Sequence, residues 1–335
     1  MNARRSFRGK GAVAGVVAND RVWRQKMRKS PSSPVSPAET ITQAIIDRLE
    51  AGTRPWVRPW TASGLSRPLR ACGTPYRGIN TIWLWMAAEL AGHQSPCWFT
   101  YRQAQLEGGQ VRKGERGTIA IFYKAYRKEV EDRETGLLPD EARRVLKSFT
   151  VFNACQIEGL PERYFPVPRP MPEPIARDRE LDAFFKAIPA RLRHLGCEAY
   201  YAPAPDQITM LDPSAFSDLD HYRATLAHEL SHWTGHESRL ARSLTPRFGS
   251  DAYAMEELIA ELSAAMLGAE LGLPVAHLDH HASYLASWLK VLKSDSQALL
   301  TAAAKAEEAS ALLMRLGGRS VERADSPEEE HLLVA

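Results

Sequence analysis

Cysteine is scarce in this chain: four residues in 335, at Cys72, Cys97, Cys155 and Cys197. They lie far apart with no CxxC pair, so neither a disulfide framework nor a cysteine-held structural zinc is expected. Widely spaced free thiols suit a reducing compartment, and we expect a cytoplasmic protein. Long apolar runs are also missing, and the charged N-terminus is not followed by an apolar segment, so neither a membrane span nor a signal peptide is expected. No acidic cluster of the kind that nucleotidyl transfer requires is visible, which argues against primase chemistry. Nothing resembles a reader of base edges either. Acidic residues are nearly absent from one region only: residues 1–37 hold nine Lys/Arg and one acid, a net of +8. Residues 38–165 carry a net of +4 and residues 166–335 a net of −9, although the whole chain is only +3. A basic front and an acidic back suggest two jobs, the front facing a polyanion.

What the chain does have is His-Glu-Leu-Ser-His at residues 228–232. On a helix, His228 and His232 lie one turn apart on one face, where both imidazoles can reach one metal ion. Glu229 sits beside that face and is placed to take a proton from an attacking water rather than to ligate. The surrounding residues 218–234 contain no Pro or Gly. Leu219, Tyr222, Leu226, Leu230 and Trp233 recur at helical intervals, Ser217 or Asp218 can cap the start, and Gly235 can end it.

A third ligand is needed. Ten residues after His228, where one common pattern places a third histidine, this chain has Ser238. His236 follows His232 by one turn, on a helix that Gly235 is already ending. A glutamate from a second helix is the other common solution. Residues 253–271 predict that helix, closed by Gly272 and Pro274, and it carries Glu256, Glu257 and Glu261. The ExxAE spacing of Glu257 and Glu261 resembles that of gluzincin metallopeptidases, in which the first glutamate binds the metal and the acid a turn later orients a ligand histidine. Glu257 is therefore nominated as ligand and Glu261 as its supporting acid, with Glu256 and Glu261 as alternative ligands. The ion is expected to be a single divalent metal, zinc by preference.

The first half reads differently. Residues 1–37 hold no apolar period and are expected to be a flexible basic arm. An amphipathic helix over 40–51 leads into GTRPWVRPW, where Trp56 and Trp60, each preceded by Pro, alternate with Arg54 and Arg58. Flat rings beside guanidinium groups suit a single strand, whose bases stack while its phosphates pair. Tyr76, Arg77 and Asn80 in YRGIN, and Arg112 and Lys113 in VRKGE, are added as candidate DNA contacts. A helix is expected from about Thr81 to Leu90, a strand over Thr118–Tyr123, and its partner over Ser148–Ile157. Residues 127–147 are highly charged and read as a loop or solvated helix. Six prolines in residues 161–174 mark a semi-rigid linker. Beyond it, a helix near Arg177–Leu195, short strands over Cys197–Ala202 and Gln207–Leu211, and helices over His280–Lys293 and Ser296–Leu316 are expected. Trp288, Leu289 and Leu292 are assigned to the core. His277, His280 and His281 are read as solvent-facing rather than ligating. The fold class is α+β in two domains: 38–160 mixed, and 175–317 mostly helical with a small sheet. Residues 318–335 form a tail.

Several of these runs, ITQAIIDRLEAGTRPWVRPW, YRGIN, SPCWFTYRQAQLEGGQVRKGERG, FTVFNACQIEGLP and HYRATLAHELSHWTGHESRLAR, together resemble the ArdC family of antirestriction proteins. The N-terminal module of that family also occurs in TraC-type primases of conjugative plasmids. The resemblance covers about residues 40–315. It implies a non-sequence-specific single-stranded-DNA-binding domain, followed by a zincin-like metallopeptidase domain acting on an unidentified protein substrate. It also implies protection of incoming conjugative DNA from host restriction. Glu229 would map to the catalytic glutamate, and His228 and His232 to the metal ligands. The alternative is a DNA-coating protection protein whose metal site is structural.

Overall fold

The computed structural model describes residues 35–56, 67–127, 142–165, 174–244, 250–273 and 284–319. The basic arm, the centre of the Pro-rich linker, His277, His280, His281, Arg58, Trp60 and nearly all of the tail lie outside the described residues.

Helix α1 (Pro37–Glu50) buries Ile41, Ala44, Ile45 and Leu49, the stripe that its 3.6-residue period dictates. A short strand β1 (Leu69–Arg70) precedes helix α2 (Ile79–Ala91). Strand β2 (Cys97–Thr100) follows and runs straight into helix α3 (Tyr101–Leu106). Thr100 and Gln103 form a capping box there: the Thr100 hydroxyl accepts from the Gln103 N–H and the Gln103 side chain accepts from the Thr100 N–H. Strand β3 (Gln110–Val111) comes next, and strands β4 (Thr118–Arg127) and β5 (Ala142–Asn153) make a long antiparallel pair. The charged stretch expected as loop or helix thus contributes its ends to this pair. The sheet order is β1-β2-β5-β4, with β1 and β2 parallel and the other pairs antiparallel. Strand β6 (Ile157–Glu158) pairs with β3. Under this sheet Cys97, Phe99, Val111, Ile157 and Tyr164 form a small core.

The second module starts with helix α4 (Pro174–Ala187). It is shorter than expected because Pro189 disfavours helical backbone at Ile188. The chain continues instead as strand β7 (Arg191–His194), an element the sequence pattern did not suggest: its residues are all exposed and show no alternation. Strands β8 (Tyr200–Ala202) and β9 (Gln207–Met210) complete a sheet of order β7-β9-β8, with β7 and β9 parallel. Helices α5 (Leu219–Trp233), α6 (Asp251–Leu271), α7 (Leu285–Ser294) and α8 (Ala298–Leu316) follow. Ile208, Met210, Leu226, Leu230, Trp233, Leu267 and Leu313 join in the main core, so the small sheet, α5, α6 and α8 are fixed against one another.

The two modules pack as one unit over the described residues from Pro37 onward. Arg67, 5% exposed, pairs with Glu270 on α6 at 2.8 Å and with Glu307 on α8 at 2.7 Å. The N–H of Gly78 also donates to Glu307, at 3.0 Å, and the Thr42 hydroxyl donates to the Ser296 carbonyl.

Candidate metal centre

Helix α5 positions the histidines. Asp218 is its N-cap and accepts from the His221 N–H at 2.7 Å, and the helix runs unbroken to Trp233. Helix α6 is capped by Ser250, whose side chain accepts from the Tyr253 N–H, and ends at Gly272 in a left-handed conformation with φ 67°. The two helices lie side by side, with the Ser231 hydroxyl donating to the Ser263 hydroxyl at 3.0 Å across the contact.

This packing brings His228, His232 and Glu257 together: one ligand atom from each lies within 4.8 Å of the others. His228 Nε2 and His232 Nε2 are 3.2 Å apart. Glu257 Oε2 is 3.6 Å from His228 Nε2, and Glu257 Oε1 is 3.6 Å from His232 Nε2. Bonds of about 2.0–2.1 Å around a tetrahedral ion put neighbouring ligand atoms roughly 3.3–3.4 Å apart. The three side chains therefore stand close enough for one divalent ion to reach all of them, and two imidazoles with a carboxylate are a donor set that zinc and its neighbours accept. Of the three glutamates weighed as ligand, Glu257 is the one that faces both Nε2 atoms.

The other two stand behind the rings. Glu256 Oε1 is 3.3 Å from His232 Nδ1. The Arg242 fork grips the same carboxylate, Nη2 to Oε1 at 2.8 Å and Nε to Oε2 at 3.0 Å, and also donates to the Thr234 hydroxyl and the Ser231 carbonyl. Gly235 makes room for this fork: a Cβ there would meet Arg242 Nη2 at 2.9 Å and Leu244 Cδ2 at 2.8 Å. Glu261 Oε2 is 3.9 Å from His228 Nδ1, a charge contact rather than a hydrogen bond. Each histidine thus has a carboxylate on its Nδ1 side, the arrangement that fixes which ring nitrogen faces a metal. The sequence reading missed Glu256 and Arg242 in this role. The periodicity of α6 marks its faces but does not say which loop arginine returns to them. His236 is turned away, with Nδ1 2.8 Å from the Ser238 hydroxyl.

Charge balance follows from burial. Burial alone would lower the His228 pKa, but Glu257, Glu229 and Glu261 outweigh it and push it up to about 9. Burial would raise Glu257, yet the adjacent His228 and His232 hold its carboxyl down at about 2. Glu256 behaves similarly: His232 and Arg242 overcome burial and keep it below the ordinary range. Glu229 is different. Burial dominates, and its carboxyl is raised although the two histidines and a hydrogen bond from the Tyr201 backbone on β8 oppose the shift.

The candidate DNA contacts fare less well. Trp56 is fully buried, its ring edge-on to Trp288 at 5.8 Å and its indole N–H donating to Glu261 at 3.2 Å. Arg54 Nη1 donates to the same oxygen at 3.0 Å. Tyr76 is buried against Phe122. Asn80 is buried too, and its amide bonds both the N–H and the carbonyl of Ile121, at 2.9 and 2.7 Å. Trp56, Tyr76 and Asn80 are therefore structural and offer no face to a strand. A Pro-Trp segment and a buried Pro-Trp anchor look alike in sequence, because composition does not say which side of the ring meets protein. Arg77 is half-buried, while Arg112 and Lys113 are exposed, Arg112 being paired with Glu115 at 2.7 Å.

Comparison with known proteins agrees with this division of the chain. Residues 36–152 match the family model for the N-terminal domain of anti-restriction factor ArdC, and residues 179–305 match that of a zincin-like metallopeptidase. The uncharacterized protein y4eC of Sinorhizobium fredii is 39% identical over 289 residues, covering 84% of this chain and 92% of that protein. A DNA primase TraC of Escherichia coli is 40% identical over 289 residues, covering 81% of this chain; the match spans 26% of the primase. The crystal structure of the antirestriction ArdC protein from plasmid R388, metal-free, superposes with a TM-score of 0.71 at 43% identity, covering 84% of this chain and 97% of that one. The Mn(II)-bound structure of the R388 protein gives 0.69 at 42% identity over the same shares. With the zincin-like site, the ArdC N-terminal module and a near full-length structural relative in agreement, the chain belongs to the ArdC family of antirestriction proteins.

Proposed function

We propose that this protein binds single-stranded DNA through its first module and hydrolyses a peptide bond at the metal centre of its second, protecting incoming plasmid DNA from restriction. The observation that carries the peptidase half is the triangle of His228, His232 and Glu257 with the buried Glu229 beside it. A bound divalent ion, for which the Mn(II)-bound R388 relative is a precedent and zinc the sequence-based choice, would polarise the scissile carbonyl and acidify the attacking water. Glu229 then does the proton work. Its raised pKa suits a carboxylate that accepts a proton from water and returns it to the leaving amine. The Tyr201 backbone N–H fixes its orientation. Strand β8, the edge strand that carries Tyr201, offers an extended substrate a partner strand beside the site.

The DNA half rests on the ArdC N-terminal match and on the likeness to TraC primases. With Trp56 and Tyr76 buried, Tyr101, 46% exposed at the start of α3, is a ring among the described residues that can offer a stacking face. Its hydroxyl accepts from Gln110, two residues before Arg112 and three before Lys113, which places a ring close to two exposed cations. Tyr101→Ala is expected to weaken quenching by oligo-dT severalfold with folding unchanged; equal affinity in the variant would remove this surface from the proposal.

A second reading has one observation in its favour: the site is deep, with His228, Glu229 and Glu257 each under 8% exposed. A metal held there could be structural, with DNA coating alone giving protection. Glu229→Ala separates the two. Peptidase function predicts loss of protection during conjugative transfer with metal content near that of the unmodified protein, whereas a structural metal predicts protection intact.

A further inference from the structure

Glu261 is the feature that the hydrolytic scheme leaves unexplained. It is 0% exposed, in the middle of α6, with one carboxylate oxygen toward His228. A carboxylate so placed is costly unless donors hold it. Oxygen Oε1 is held by Arg54 Nη1 at 3.0 Å and Trp56 Nε1 at 3.2 Å, side chains more than 200 residues away in sequence. Both belong to the segment that links α1 to the rest of the first module. The Trp56 ring is itself fixed by Trp288, which stacks on Tyr284, and the Tyr284 hydroxyl meets that of Tyr253 at 3.1 Å. Tyr253 stands one turn before the ligand Glu257 and hydrogen-bonds it.

We infer that Arg54 and Trp56 are positioning residues of the metal centre: the first module completes the site of the second by holding Glu261 behind His228. His228 presents Nε2 to the ligand triangle, so its Nδ1–H must point the opposite way, toward Glu261. With Oε1 anchored by two donors, Oε2 is held 3.9 Å from Nδ1, where its charge favours the tautomer that leaves Nε2 as the metal-binding nitrogen. Without Arg54 and Trp56, Glu261 would lose its anchor and the ring would lose its orientation. The inference rests on the metal-site reading above, and it makes metal affinity a property of both modules.

The test is Mn(II) titration of the full-length apoprotein. Trp56→Phe keeps a ring against Trp288 and deletes only the indole N–H; Arg54→Gln removes the charge at a side chain 19% exposed. Each is expected to weaken Mn(II) binding about tenfold or more, the usual effect of losing a supporting hydrogen bond. Arg54→Lys should recover part of the loss. Asn80→Ala, which disturbs the first module away from Glu261, should leave the affinity alone, and thermal unfolding of the metal-free variants identifies any that are simply misfolded. Mn(II) affinities of Trp56→Phe and Arg54→Gln within twofold of the unmodified protein would overturn the inference. An unmodified protein that binds no Mn(II), or a His228→Ala variant that binds as well, would sink the metal-site reading itself.

Discussion

His228 sets the chemistry that a metal has to overcome. Its pKa of about 9 in the metal-free site lies above the unperturbed histidine value, so below pH 9 the ring is protonated and competes with an incoming cation. Apparent metal affinity should therefore rise roughly tenfold per pH unit as pH climbs toward 9 and then level off, as isothermal titration across pH 6–10 would show. A flat profile would mean that His228 is already neutral. The residue that completes the site from behind is Arg242. Replacing it with Ala leaves the buried Glu256 carboxylate without its fork, at an expected cost of about 3–5 kcal/mol in urea unfolding. Arg242→Lys would recover only part of this, because a single ammonium cannot reproduce the bidentate contact.

At the scale of elements, the pieces that position the site are the ones the sequence marks most clearly. Helix α5 was legible from its apolar period and its cap, and α6 from its period and closing glycine. Strand β7 was not legible, because a fully exposed edge strand has no inward face to alternate. The β4–β5 pair depends on Asn80, whose side chain bonds both backbone groups of Ile121. Asn80→Ala should cost about 2–3 kcal/mol in unfolding, since it strands a buried donor and acceptor, while oligo-dT affinity of the folded fraction stays unchanged. The hairpin of β8 and β9 is tied to the end of α5 by Asp206, which accepts from Arg239 and Tyr201. The Arg239 hydrogen bond holds the Asp206 carboxyl below its ordinary range, so its stabilisation is present above the unfolded pKa and is lost as pH falls through the lower folded value. Asp206→Asn should therefore narrow the stability difference between pH 7 and pH 3 by a modest amount, this carboxylate being one-third exposed.

On the scale of the whole molecule, Arg67 and Glu261 show that the modules are not independent beads. Arg67→Ala removes partners from Glu270 on α6 and Glu307 on α8 and should destabilise the fold by about 3 kcal/mol, with faster hydrogen exchange where the segment around Arg67 meets α6 and α8. The DNA binding proposed for the first module, in contrast, should weaken steeply with added salt, because phosphate contacts release counterions. An oligo-dT affinity insensitive to salt between 50 and 200 mM would contradict a backbone-reading surface.

The amino-acid sequence by itself determined the local items: which helices form, where they start and stop, and that His228, Glu229 and His232 share a helix in a spacing suited to one metal. Those follow from periodicity and capping, which act over a few residues. Only the tertiary structure shows which of Glu256, Glu257 and Glu261 lies against both histidines on their Nε2 side. All three are on one helix within two turns, and the rotation of α6 against α5 alone picks the carboxylate that meets both Nε2 atoms. It also brings Arg54 and Trp56 against Glu261, a contact bridging more than 200 residues of chain. Such a pairing leaves no periodic trace, because it depends on how two cores pack rather than on how one segment folds.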